Sequence, residues 1–312
     1  MHIRNFNLRL SGFIKGSFPI WPHFSYAAAL FLALEGGFLA ISGRGNSWKF
    51  NIPMLAGIAT LFIATFYLRC LDEVKDLDYD QKYNPDRPLV NGTVSTGDVY
   101  IYAAFTFIMI AAINSFTTSV ILGIIIFQMI YAAFLIKLEK NAPSIAENML
   151  FNLIITHPVN ILLAVYVLLF TLNHSSLEFE INHVALIIAN IFAFLHFEFT
   201  RKIAWPEFEI KGEKLYTRII GTKNAMFLCF IFALLSCTIL LFLFTPWEQK
   251  GLGFWTSLLP LTMLFPSLSG MASFFKKRKI RLNMTPYGEN FLTCFFVSNI
   301  IHGLVINDLQ LF

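Results

Sequence analysis

The stretch "LRCLDEVKDLDYDQKYNPDRPLVNGTVS", Leu68 to Ser95, joins the end of a long apolar run to a dense group of acidic residues. Its six clustered carboxylates are Asp72, Glu73, Asp76, Asp78, Asp80 and Asp86. Carboxylates this close together disfavour one another's ionised form unless cations compensate for their charge. The segment therefore predicts a site for a positively charged partner at the end of a membrane helix.

Three of these aspartates have a regular four-residue spacing. If the preceding helix continues through the segment, Asp72, Asp76 and Asp80 lie on one face, about one turn apart. Carboxylate oxygens combined with phosphate oxygens are ligands that suit Mg²⁺. A solvated acidic helix end without a metal is the alternative. The regular spacing and the position beside the membrane favour the metal site.

Basic residues accompany the carboxylates. Pro85 and Pro88 hold Arg87 in a stiff, non-helical turn. We expect Arg87, Lys75 and Arg69 to bind phosphate oxygens that the metal leaves free.

The composition places the whole chain in lipid. Of its 312 residues, 56% are hydrophobic and 13% are charged, and the mean hydropathy is +0.64, which is outside the usual range of soluble domains. The net charge of +4 is too small to indicate nucleic-acid binding. Without a polar linker between apolar segments, we expect one domain over 1–312, with 1–22 as a cytoplasmic or interfacial segment rather than a cleaved signal. The four cysteines have neither metal-ligand nor disulfide spacing.

Nine apolar segments are long enough to span a membrane as helices. They lie near 24–42, 53–70, 97–114, 117–136, 148–172, 183–198, 223–245, 253–275 and 289–310. Of the 23 Lys and Arg residues, only Arg44, Lys49 and Lys250 fall on one side. The positive-inside rule then makes the other side, with the N-terminus and the acidic loop, cytoplasmic. We expect a multi-pass protein, in a bacterial inner membrane.

The acidic stretch resembles the first motif of the UbiA-type prenyltransferase superfamily, N-D-x-x-D-x-x-x-D followed by R-P-L-x-x-G-x-x-S. The residues that match are Asp76, Asp80, Arg87, Pro88, Leu89, Gly92 and Ser95. Asp72 stands where the family usually has Asn, and Glu73 where it has Asp. The resemblance implies an all-α fold of about nine transmembrane helices, with the first motif after helix 2 and a second acidic motif after helix 6.

The second loop, "HFEFTRKIAWPEFEIKGEKLYTRIIG" from His196 to Gly221, departs from the family pattern D-x-x-D-x-x-x-D. Glu198 and Arg201 occupy the positions of the first two aspartates. Either Arg201 and Lys202 supply the diphosphate with positive charge while Glu198 remains a metal ligand, or the site is degenerate and binds a lipid without turning it over. The basic residues also fit an ordinary positive-inside loop.

Polar residues also recur within the fifth span. Asn148, Asn152, Thr156 and Asn160 repeat every four residues. Amides within a span are costly unless they face a bundle interior, so we expect Asn148 and Asn152 to line a pocket or to bond another helix.

The resemblance implies a membrane enzyme that uses Mg²⁺ to transfer an isoprenyl group from a prenyl diphosphate to an acceptor. We expect the acceptor to be small or lipid-soluble and to be aromatic. Asp72, Asp76 and Asp80 are the expected catalytic metal ligands. A membrane terpene cyclase of the same superfamily and a non-catalytic lipid-binding or transport protein remain as alternatives.

Overall fold

The protein is all-α in the computed structural model, which describes residues 2–43, 48–142, 148–209, 213–307 and 309–311. Within these ranges, nine helical segments are long and apolar enough to cross a membrane, as predicted. They are Ile20–Ile41, Ile52–Lys75, Thr96–Asn114, Ser119–Glu139, Met149–His174, Ile181–Thr200, Thr222–Glu248, Leu252–Lys276 and Thr285–Ile306. The chain is therefore a multi-pass integral membrane protein. Arg44, which entered the charge count, lies outside the described residues.

Fourteen α-helices are found in this described part of the chain. In order they are α1 (His2–Ser17), α2 (Ile20–Ile41), α3 (Ile52–Lys75), α4 (Leu77–Tyr83), α5 (Thr96–Asn114), α6 (Ser119–Asn141), α7 (Met149–Thr156), α8 (Pro158–His174), α9 (Ile181–Thr200), α10 (Thr217–Ile220), α11 (Thr222–Phe244), α12 (Leu252–Ser257), α13 (Leu264–Lys276) and α14 (Thr285–Ile306). Short 3₁₀ helices cover Pro206–Phe208, Pro246–Glu248 and Leu259–Met263. Strand β1 (Trp48–Phe50) pairs in parallel with β2 (Leu309–Leu311).

The predicted fifth span is divided into two helices. The chain turns at His157 between α7 and α8, and α8 begins at Pro158. Proline lacks an N–H donor and its ring clashes with the preceding turn, so it starts a helix more readily than it continues one. The four-residue polar repeat of this span is thus shared between α7 and α8.

The chain forms two compact units, and each is built from three segments that are separated along the sequence. Unit 1 comprises Met1–Phe31, Ile52–Glu147 and Ile155–Leu169, and within it α3 packs against α5 and α6. Unit 2 comprises Leu32–Asn51, Asn148–Ile154 and Phe170–Phe312, and within it α9 packs against α11 and α14. The expectation of a single domain over 1–312 stays a prediction.

Candidate active site

The predicted row of aspartates lies where α3 gives way to α4. The α3 helix ends at Lys75, but the backbone N–H of Asp76 still donates to the carbonyl of Asp72, and that of Asp80 to the carbonyl of Asp76, each at 2.8 Å. The one-turn spacing of the three residues is therefore kept across the junction. Asp72 and Asp76 are exposed, whereas Asp80 is buried.

Glu73 is the most deeply buried carboxylate of this segment, with 2% of its surface exposed. Its Oε1 accepts hydrogen bonds from Arg69 and from Nη1 of Arg87, the latter at 2.8 Å. Its Oε2 is also buried and has no hydrogen-bond partner among the described residues. A buried polar oxygen without a partner is costly, so this atom is suited to bind a cation or to accept a hydrogen bond from water.

The other predicted cations also lie among the carboxylates. Nε of Arg87 is 3.9 Å from Oδ2 of Asp80, which accepts a 2.6 Å bond from Asn84 through its other oxygen. Nζ of Lys75 is 3.4 Å from Oδ1 of Asp72 and 4.0 Å from Oε1 of Glu139. Basic side chains of the protein therefore compensate for part of the negative charge of the acidic segment.

Several residues of the R-P-L-x-x-G-x-x-S pattern have structural roles in the turn that follows α4. Gly92 has a φ of +79°, which favours glycine. Ser95 caps α5 in a capping box, accepting from the backbone N–H of Asp98 while its own N–H donates to the Asp98 carboxylate. A Cβ on Gly16 of α1 would lie only 2.5 Å from Cγ of Pro88. These residues shape the turn, and Arg87 is the member that reaches the acidic group.

The second segment gathers charges at the end of α9, within unit 2. Oε2 of Glu198 lies 2.7 Å from Nη2 of Arg201, and Oε1 lies 2.5 Å from Nζ of Lys202. Both oxygens of Glu198 thus have a cationic partner. The structure brings together the three residues predicted for this loop, and the cluster has one positive charge in excess.

Tyr216 is a member of this cluster that the sequence did not single out. Its ring stacks on Phe199 with a centroid distance of 4.0 Å, and its backbone N–H donates to the carbonyl of Lys202 at 3.0 Å. Burial, followed by the charge and hydrogen bonding of Glu198, raises the pKa of Tyr216 above its ordinary value. The phenol therefore remains protonated. Tyr216 lies eighteen residues from Glu198 in the sequence, so no local spacing pattern indicated that the two residues are close together.

Asn148 and Asn152 lie at the start of α7 in unit 2. Oδ1 of Asn148 accepts from the backbone N–H of Phe151 at 3.1 Å, which satisfies a donor of the first helical turn. Asn148 is exposed and Asn152 is half-buried. Their proposed role in lining a pocket stays a prediction.

The first segment fits the donor chemistry of Mg²⁺. Within the described ranges, no three His, Cys, Asp or Glu side chains are placed so that they could hold a metal ion together. Mg²⁺ typically takes only one or two carboxylates and completes its coordination with phosphate oxygens and water. The exposed Asp72 and Asp76 supply two such carboxylates, and Oε2 of Glu73 is a buried acceptor without a partner among the described residues.

No protein-family model and no curated protein matches the chain by sequence. Solved structures do match it. A UbiA homologue from Archaeoglobus fulgidus, bound to DMAPP and Mg²⁺, aligns over 96% of this chain and 99% of its own with a TM-score of 0.65 and 14% identity. The same homologue with GPP and Mg²⁺ gives 0.64, 13% identity and coverage of 95% and 99%. A digeranylgeranylglyceryl phosphate synthase structure gives 0.62, 14% identity and coverage of 95% and 99%. The predicted fold is confirmed.

Proposed function

We propose that this chain, whose fold is that of the UbiA-type intramembrane prenyltransferases, transfers an isoprenyl group from a prenyl diphosphate to a small or lipid-soluble acceptor with an aromatic ring. The observation that carries the proposal is the acidic segment at the end of the second span, with Asp72, Asp76 and Asp80 one turn apart. The comparison structures with DMAPP or GPP and Mg²⁺ support a prenyl diphosphate as the donor.

In the proposed reaction the bond between the allylic carbon and the diphosphate oxygen breaks, and both electrons leave with the oxygen. The acceptor then bonds to the allylic cation and loses a proton. Asp72, Asp76 and Asp80, the predicted ligands of this segment, would hold Mg²⁺ together with phosphate oxygens and water. The bound ion would neutralise charge that develops on the diphosphate. Arg69, Lys75 and Arg87 provide further positive charge, and apolar helices limit capture of the cation by water.

For the second segment we propose that Arg201 and Lys202 provide positive charge to the diphosphate. Glu198 holds both cations in place in the structure. Its predicted role as a metal ligand can be tested separately, because the Glu198→Gln variant would then need more Mg²⁺ for half-maximal activity.

The decisive experiment measures diphosphate release from DMAPP or GPP by the purified protein with Mg²⁺ and a panel of aromatic acceptors. We expect Asp76→Asn to lower the rate at least about a hundredfold, because a catalytic electrostatic contact is lost. Asp78→Asn is the matched control, since Asp78 is also exposed but lies outside the four-residue repeat. Equal rates for wild type and Asp76→Asn would reject the site.

A non-catalytic prenyl-diphosphate-binding protein is the second candidate, favoured by the pairing of both Glu198 oxygens with cations. Such a protein would bind GPP in the presence of Mg²⁺ without releasing diphosphate with any acceptor. A terpene cyclase would release diphosphate and form a cyclic product when no acceptor is added.

A further inference from the structure

A groove opens on the surface of unit 1 between α5 and α6, with α3 as its floor. Its volume is about 620 Å³, and it is lined mainly by apolar side chains. Ala103, Ala104 and Ala133 leave the space between the two flanking helices, while Tyr67 and Leu71 of α3 close its base.

All three helices contribute the same end to this groove. The lining residues come from the last part of α3, the part of α5 up to Ile108 and the last part of α6. This is the end of the helices that carries the acidic segment, and it is the side expected to be cytoplasmic. From Ala133 to Asn141 the axis of α6 rises about 12 Å, close to the roughly 15 Å depth of one hydrocarbon leaflet.

The end of the groove on the expected cytoplasmic side is polar and positively charged. Lys137 and Asn141 line it there, one turn apart on α6, and both side chains are exposed. The nearby Glu139 faces Lys75, 4.0 Å away. No ion pair joins Lys137 to another residue in the described part of the chain. An apolar groove that ends in an unpaired cation complements a lipid chain with an anionic headgroup.

We propose that this groove is a binding site for an anionic phospholipid of the cytoplasmic leaflet. One acyl chain lies against Ala103, Ala104 and Ala133, and the phosphate is held by Lys137 and Asn141. The exposed Tyr100 lies near the headgroup level, where its amphipathic ring is favoured. The proposal is independent of the prenyl-transfer chemistry, because none of these residues has been assigned to it.

The test is native mass spectrometry of the purified protein with equal amounts of phosphatidylglycerol and phosphatidylcholine that carry the same acyl chains. The wild type should retain phosphatidylglycerol in preference. Lys137→Ala should lower this preference about fivefold, the effect of one cation at an anionic membrane surface. Ala133→Trp fills the groove and should reduce retention of both lipids.

Two matched variants control for general changes of the surface. Lys223→Ala removes another exposed lysine at the expected cytoplasmic side, and Ala112→Trp adds the same bulk to an exposed part of α5 outside the groove. Both should behave like the wild type. Unchanged lipid preference in Lys137→Ala would overturn the proposal. It would also be overturned if Ala133→Trp converted a dimer to a monomer without affecting lipid retention, since a second copy would then cover the groove.

Discussion

At the scale of single residues, Glu198 joins two cations at the end of α9, and Arg201 is the one that stands in place of a family aspartate. If Arg201 contacts the diphosphate, Arg201→Ala should lower kcat/KM for the prenyl diphosphate about tenfold, the loss of one charge-assisted hydrogen bond in a partly exposed position. This decrease should come mainly from a higher KM, with little change in kcat.

Arg218→Ala provides the control for that measurement. Arg218 forms a comparable ion pair with Glu209, also at 2.7 Å, and the exposed fractions of the two arginine side chains are 37% and 43%. The control should leave KM unchanged. An equal change in both variants would mean that Arg201 acts only through the general charge of the loop.

The local spacing of the first segment predicted its main features, because four-residue repeats and proline positions are properties of neighbouring residues. The one-turn sequence of Asp72, Asp76 and Asp80 was found in this way. Glu73 was not assigned a role, although it stands at a family motif position and accepts hydrogen bonds from two arginines. Its burial depends on packing, and spacing alone did not distinguish it from the exposed Asp78.

At the scale of helices, the R-P-L-x-x-G-x-x-S stretch has a structural role that can be separated from chemistry. Ser95 caps α5, so Ser95→Ala should lower the stability of the protein in detergent by about 1 kcal/mol, the usual cost of losing an N-cap side chain. Thermal unfolding followed by circular dichroism measures this loss.

Ser115→Ala tests the opposite end of the same helix. The hydroxyl of Ser115 is exposed and donates to the carbonyl of Ala112, so its removal should have a smaller effect on unfolding. If both variants unfolded at the wild-type temperature, the capping box would contribute nothing measurable to the stability of α5.

Helix boundaries separate what the sequence determines locally from what it does not. Runs of about twenty apolar residues correctly predicted the nine spans found among the described residues. The division of the fifth span at Pro158 was not predicted, because its apolar character continues through the break. The polar repeat across α7 and α8 was consequently treated as one face of one helix.

At the scale of the whole molecule, the chain alternates between two compact units, so contacts within each unit join distant parts of the sequence. Hydropathy and local spacing carry no information on such pairings. Orientation is different, because it follows from the distribution of charged residues between loops.

The orientation of the chain in the membrane can be tested directly. Lys and Arg are in excess in the loops that follow the even-numbered spans, so the positive-inside rule makes these loops cytoplasmic. The loop after α8, which ends the fifth span, is then outside, and the loop after α9, the sixth span, is cytoplasmic. Glu178 and Glu207 are exposed residues of these two loops, and each can be replaced by cysteine. The native Cys70, Cys229 and Cys237 are buried and Cys294 is half-buried, all within spans. A membrane-impermeant maleimide should therefore label Glu178→Cys in intact cells and Glu207→Cys only after lysis. The reverse pattern would place the acidic segment, and with it the proposed diphosphate site, on the outer side of the membrane.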